Sequence, residues 1–439
     1  MWEMRKVMAV IMLLVVAIWG FAGGQSESEQ GQMESGQGAE EQPLAGTTLS
    51  IASMNDPFNY VIEEMLPMFE EETGIDVQME IIPYNGLRER TMTDLVSGSA
   101  SFDVITMDIV WMGEWAEAGF ITQLDEYIES DNIDMDAFIP GALEGLAYWD
   151  GDTYGMPIGA YHFLMHYRTD LLEEVGMDMP TTYDEVMQFG SAVQNPSEDQ
   201  YGIAVPMVRG APIVHYSLAY LSGAGGGVLN ENREPTINSS VAREVYDYYK
   251  QFLEIGPDGM PSYDWFAVSD AYQQGRVAML GAWNVVSPGF ENPEDSQIVG
   301  QTEYSVMPTL DEGDEAQVPF GGWSLVINED SDKKQAAWEF IKWITSEEVH
   351  LEYARRGGTP VRFDTLENEE LQAERPWYET VLEIERNGLS DARYRPRIPQ
   401  WIEIEETLGL LLNQAMIGQK SVDAALDEAQ ADLEEILSE

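Results

Sequence analysis

The alternation that begins at Thr47 limits this chain more than any other feature. "TTLSIAS" is an apolar strand pattern that runs into "MNDPFN". Phe58, Val61, Ile62, Met65 and Phe69 then recur at helical spacing, and Gly74 follows as a stop. "IDVQMEII" predicts a second strand, "GLRERTMTDLVSGS" a second helix and "FDVITMD" a third strand. Strand–helix–strand–helix–strand has few solutions. Right-handed crossovers make such strands mostly parallel and put helices over the sheet. The expected fold class is α/β.

The middle of the chain is less regular. "DTYGMPIGAYHFLMHYRTDLLEEVG" holds two extended segments and a helix start, and "TTYDEVMQFGSAVQ" is a helix with a Thr cap. "EVYDYYKQFLEIG" is a further helix, and "VSDAYQQGRVAMLGAW" passes from helix to strand through Gly275. "YSVMP" and "WSLVIN" read as short strands. In "SDKKQAAWEFIKWITSEE" Ser331 is expected to cap a helix that buries Ala337, Phe340, Ile341 and Ile344. The last amphipathic helix carries Val422, Leu426, Ala429, Leu433 and Ile436 on one face. With 439 residues, 44% of them hydrophobic, two or three domains are expected.

Residues 1–22 are not part of that core. Arg5 and Lys6 precede the apolar run "VMAVIMLLVVAIWGF", and Gly20 and Ala22 supply small residues for cleavage. This reads as a secretory signal peptide, with a retained anchor as the rival, and places the protein in the periplasm or outside the cell. Gly24 stands where a lipidated Cys would be needed, and the chain has no Cys, so no lipid anchor and no disulfide is expected. Residues 23–46, rich in Gln, Glu, Gly and Ser, read as a flexible acidic tether.

The chain carries 79 acids against 22 bases, a net charge of −57, which disfavours nucleic acid and anionic membranes as partners. The acids are scattered over every helix, as on a halophilic acidic surface whose self-repulsion needs salt screening. Most carboxylates are therefore solvent adaptation, and counting them identifies no catalytic pair. There is no Cys nucleophile and no G-x-S-x-G elbow. His162 and His166 lie in a strand-like segment without H-E-x-x-H, and "SGAGGGVLN" follows a helix and lacks G-K-[ST]. No catalytic residue, metal or cofactor is expected.

The aromatic residues say more. Trp111, Trp283 in "GAWN" and Trp323 in "GGWS" sit at strand ends beside Gly or small polar residues. Sugar rings offer apolar C–H faces for stacking and hydroxyls that need carboxylates, amides and Arg. An aromatic floor with a polar rim is what a carbohydrate site requires.

Five stretches together carry a family resemblance: "FDVITMDIVWMGEWAEAGFITQLDEYI", "YGMPIGAYHFLMHYRTDLLEEVGMDMPTTYDE", "QQGRVAMLGAW", "PFGGWSLVINEDSDKKQAAWEFIKWITSEE", and "RPRIPQW" with "GQKSVDAALDEAQ". From Thr47 to its C-terminus the chain resembles the extracellular solute-binding proteins of family 1, the carbohydrate-binding subunits of ABC importers. The resemblance implies a two-lobed periplasmic binding protein fold of the class II type, closing about hinge strands. The lobes would be residues 47–158 plus 308–354 and 159–307 plus 355–439. It implies a sugar or polyol ligand, ABC permease subunits as partners and a monomer. Asp108 matches the family's strand-end acid and Tyr161 its hinge-proximal aromatic. Trp283 and Trp323 match stacking rings, with Gly321 and Gly322 offering backbone groups. Arg88 (or Arg90) and Arg397 (or Arg395) match arginines that reach the ligand. Asn55 stands where the family often has an acid, and Trp111 and His162 are second choices. Trp115 is expected to pack inward, with Glu114 and Glu117 on the surface. A glycoside-active enzyme would instead turn over a chromogenic glycoside, and an adhesin or scaffold would show no small-ligand effect.

Overall fold

The computed structural model describes residues 43–438. The expected export segment and nearly all of the tether lie outside the described residues. The strands in chain order are β1 (Thr48–Met54), β2 (Asp76–Ile82), β3 (Val104–Asp108), β4 (Tyr148–Trp149), β5 (Asp152–Thr153), β6 (Met156–Arg168), β7 (Tyr201–Ile203), β8 (Val277–Trp283), β9 (Thr302–Ser305), β10 (Val318–Ile327) and β11 (Ser390–Asp391). β1 pairs in parallel with β2 and β3, as the alternation requires. The connecting helices are Pro57–Thr73 and Tyr84–Ser97, each ended by a left-handed glycine.

β6 joins the two ends of the sheet. Met156–His162 pairs antiparallel with β10, and Phe163–Arg168 pairs antiparallel with β8 and β9. The sheet order is β2-β1-β3-β10-β6-β8-β7. All thirteen residues of β6 and all ten of β10 are buried. A strand covered on both faces reads as a continuous apolar run, which is what "MPIGAYHFLMHY" is. β10 is longer than the short strand its sequence suggests. Pro319 and Gly321–Gly322 look like turn punctuation, yet they lie within the ladder. Gly322 has φ 144°, and a Cβ there would overlap the Gly159 carbonyl oxygen on β6. The glycine is thus a close-approach residue where the ladder shifts register beside Trp323 and Ser324.

Thr182 caps its helix through a full capping box with Glu185. Ser331 does not cap. Its hydroxyl donates to Asp103 at 2.7 Å, and the helix starts later, at Lys334. The same oxygen accepts the backbone N–H of Lys333 at 3.1 Å, so Ser331 closes a turn one step before the helix instead of capping its first turn. Among the described residues no helix is long and apolar enough to cross a membrane.

Exposed acids cover the surface at a net charge of −57. Raising NaCl from about 0.1 M to about 2 M shrinks the screening length several-fold and should raise Tm by roughly 5 °C or more. Differential scanning calorimetry checks this, and a flat or falling Tm would remove the halophilic reading.

Candidate functional site

β3 ends at Asp108, at the carboxyl end of the parallel strands, where open α/β sheets place ligands. The residue is only 4% exposed. It accepts from the Tyr84 hydroxyl at 2.7 Å and faces the Arg395 guanidinium at 3.4 and 3.5 Å. Burial, with the Asp108 charge behind it, lifts the Tyr84 phenol well above its usual value, so that phenol remains a donor. Arg395 lies over the Tyr394 ring at 5.3 Å, and its Nη1 is 3.2 Å from His215 Nε2. The same His215 nitrogen is 2.6 Å from Glu405. A single ring nitrogen cannot both accept from Arg395 and donate to Glu405, and the shorter contact identifies the carboxylate as the proton's partner. Burial opposes the Glu405 charge, but His215 and Arg395 outweigh it and hold this carboxyl below the usual range.

These five groups come from five separate elements. Tyr84 opens its helix, Asp108 closes β3, His215 lies in the helix Ala211–Gly223, Arg395 sits in a loop, and Glu405 belongs to the helix Trp401–Met416. A chain of rings surrounds them. Trp323 meets Trp111 at 5.9 Å and Phe58 at 6.3 Å; Phe58 meets Tyr161 at 6.3 Å; Tyr161 meets Trp283 at 6.5 Å; and Trp283 meets Tyr394 at 5.9 Å. Gly321 permits this closeness, since a Cβ there would sit 3.1 Å from the Trp283 ring and 3.4 Å from Arg395.

The structure therefore brings Asp108, Trp111, Tyr161, Trp283, Gly321, Gly322 and Trp323 together and leaves three other candidates outside. Asn55 is exposed and accepts from Tyr60. Arg88 is claimed by Glu114 at 2.7 Å, and Arg90 by Glu80. Arg397 turns away from Asp108, and its Nη1 donates to the carbonyls of Glu144, Gly145 and Tyr148. It borders an open cavity of about 960 Å³ that also touches Trp149, Arg233 and Arg393. Of the two late arginines, Arg395 is the one that meets Asp108. Trp115 is fully buried. His162 is in the core, 2.6 Å from Glu385.

Tyr84, His215, Tyr394 and Glu405 were not singled out from the sequence. Glu405 did carry a signal, because it shares a helical stripe with Trp401, Ile404, Leu408 and Leu412, where an acid is out of place. Among the described residues no group of three or more His, Asp or Glu side chains is arranged to hold a metal ion.

With this geometry in hand, known proteins are similar in a consistent way. A family model for bacterial extracellular solute-binding proteins matches residues 51–350. An ABC transporter solute-binding protein from Agrobacterium radiobacter K84, solved in complex with ribitol, is 33% identical and superimposes with a TM-score of 0.84, covering 90% of this chain and 99% of its own. A mannitol-binding protein of Pseudomonas aeruginosa is 25% identical over 402 residues, 87% of this chain and 91% of the relative. A maltose-bound protein from T. maritima, 24% identical, covers 88% of this chain and 99% of its own with a TM-score of 0.79, a likeness of fold. The architecture is the two-lobed α/β fold of these binding proteins.

Proposed function

The chain belongs to the bacterial extracellular solute-binding protein family, and from that premise we propose that it captures a sugar or polyol around Asp108 and Arg395 and delivers it to the permease of an ABC transporter. The observation that carries this reading is the set of buried donors at the site. Arg395 Nε, on a side chain that faces Asp108, and Trp111 Nε1, on a ring among those of Tyr84, Trp115 and Trp323, are buried without a partner among the described residues. An unpaired buried donor is costly, and a ligand rich in hydroxyls would satisfy it while its C–H faces lie on Trp323 and Trp283. The ribitol and mannitol bound by two relatives put polyols first among the candidates. The family is one of binding proteins, so no turnover accompanies capture.

We assign the lobes to residues 47–158 plus 308–354 and 159–307 plus 355–439. Tyr84, Asp108 and Trp323 then come from the first lobe, and His215, Trp283, Arg395 and Glu405 from the second. The change of partner along β6, between His162 and Phe163 and four residues past the assigned crossing, supports this strand as a hinge element. Export through residues 1–22 completes the proposal.

A thermal-shift and calorimetric screen of ribitol, mannitol, erythritol and maltose in high salt tests capture. At least one should stabilise the protein, and silence from polyols and sugars alike would sink the reading. In the same assay Trp323→Ala should weaken binding by about 1–3 kcal/mol, since the ring supplies an apolar face. Unchanged affinity would make Trp323 a purely structural ring.

A further inference from the structure

Among the described residues the buried hydroxyls of Tyr161, Tyr304 and Tyr394 make no hydrogen bond. Other core phenols are paired. Tyr167, Tyr183, Tyr249 and Tyr353 each donate to a backbone carbonyl, those of Pro180, Tyr220, Pro206 and Ile158, at 2.7 to 3.0 Å. A buried hydroxyl left alone has given up water for nothing, so each exception needs a cause. Tyr304 lies apart, against His166 and Trp377. Tyr161 and Tyr394 do not. Their rings meet the same indole, Trp283, at 6.5 and 5.9 Å.

Trp283 closes β8 half-buried, whereas Tyr161 and Tyr394 are only 6% and 4% exposed. Tyr161 comes from β6 and Tyr394 from the loop after β11, so two independent segments bring an unsatisfied hydroxyl to one indole. The Tyr394 ring is held in place, with Arg395 over it at 5.3 Å and Trp283 beside it. The Asp108 charge acts on both phenols, and Arg395 and Glu405 act on Tyr394 as well, which sets the pair at the polar centre of the site. Burial is the main cause that raises both phenols well above the usual tyrosine value, so each keeps its proton and remains a donor.

We propose that Tyr394 and Tyr161 are specificity-determining residues of the capture site: each phenol donates to one hydroxyl of the solute that lies on Trp283, so the site takes a solute with free hydroxyls at both places and rejects its deoxy counterparts. The inference rests on the capture reading above. A stacking ring discriminates weakly, because one carbon more or less changes only apolar contact. A donor without a protein partner discriminates strongly, because a solute lacking the oxygen leaves that donor buried and unpaired. The two tyrosines thus supply selectivity that Trp283 and Trp323 cannot. Their effect on the empty protein differs in sign from that of an ordinary core hydrogen bond. Removing an unpaired hydroxyl removes a penalty, whereas removing a paired one strands its partner.

The experiment compares wild type with Tyr394→Phe and Tyr161→Phe, which keep both rings and remove one oxygen each. Ribitol, mannitol, erythritol and maltose are titrated by calorimetry in high salt, together with the monodeoxy analogues of each one that binds. Each variant should bind the parent solute about tenfold less tightly than wild type does. Each should also lose wild type's preference for the parent over one analogue, a different analogue for each tyrosine. Without solute, neither variant should melt below wild type. Tyr304→Phe should melt in the same way and bind as wild type does. A variant that binds the parent as tightly as wild type, or that keeps every wild-type ratio, overturns the inference for its tyrosine and leaves capture intact. A solute-free melt that falls by several degrees shows a hydroxyl paired within the protein and overturns it too. If wild type binds none of the four solutes, the capture reading itself has failed and the inference falls with it.

Discussion

Arg395→Met is expected to abolish ligand capture and to lower unfolding free energy by about 3–5 kcal/mol. The arginine side chain is 4% exposed and its Asp108 partner 6%. Burial opposes its charge, but Tyr394, Asp108, Tyr84 and Glu405 together raise its pKa further above the ordinary value, so it is a fixed cation among acids. Methionine fills most of the stem and removes the charge. Asp108 is then left buried with only the Tyr84 hydroxyl, and Glu405 with only His215 and neighbouring hydrogen bonds. Removing one partner of a buried pair costs far more than the pair contributes, because the other charge cannot reach water. The double variant Asp108→Asn/Arg395→Met separates the two effects. It should recover part of the lost stability while binding stays absent, because the ligand's polar contacts are gone. Urea unfolding in high salt measures the first effect and calorimetry the second. A loss below about 1 kcal/mol for Arg395→Met would show that the guanidinium is solvated rather than buried.

The α/β organisation was legible because strand and helix periods differ and because glycines mark helix ends. The aromatic half of the site was legible for a related reason. Trp283 closes β8, while Trp323 follows Gly321 and Gly322 inside β10, where the two glycines are small so that the rings and β6 can come close. The polar half was hidden by composition. With 79 acids in the chain, Glu405 stands out only once its helix face is set beside Trp401 and Leu408. The choice between Arg395 and Arg397 turns on a loop, where no period fixes the direction of a side chain; Arg395 enters the core and Arg397 caps carbonyls. Asn55 and Asp56 differ by one position. The strand ends at Met54 and the chain turns into a helix, which leaves Asn55 exposed and Asp56 half-buried.

Glu385→Ala should be as damaging as the loss of Arg395, at about 3–5 kcal/mol, although it lies apart from the ligand groups. Its side chain is 1% exposed and closes three contacts at once: His162 at 2.6 Å, the Ser390 hydroxyl at 2.6 Å and the backbone N–H of Gly141 at 2.9 Å. Burial works against its charge, yet His162, Ser390 and Gly141 outweigh that and hold the carboxyl below its usual range. A depressed carboxyl contributes stability above its unfolded value, near 4.5, and loses it as pH falls further. Wild type should therefore weaken below that pH through this group, and Glu385→Ala should lack that part of the acid transition. Alanine leaves His162 and an amide buried without an acceptor at the residue where β6 changes partners. Glu385→Gln keeps the shape and an acceptor oxygen, and should cost about half as much. Denaturant curves for both variants at neutral and acid pH, in high salt, measure the difference. Equal costs for Ala and Gln would mean that the charge, rather than the hydrogen-bonded geometry, holds this junction. A junction held by geometry ties His162 to a single position, and β6 carries that position directly into Tyr161 and the ring chain around the ligand.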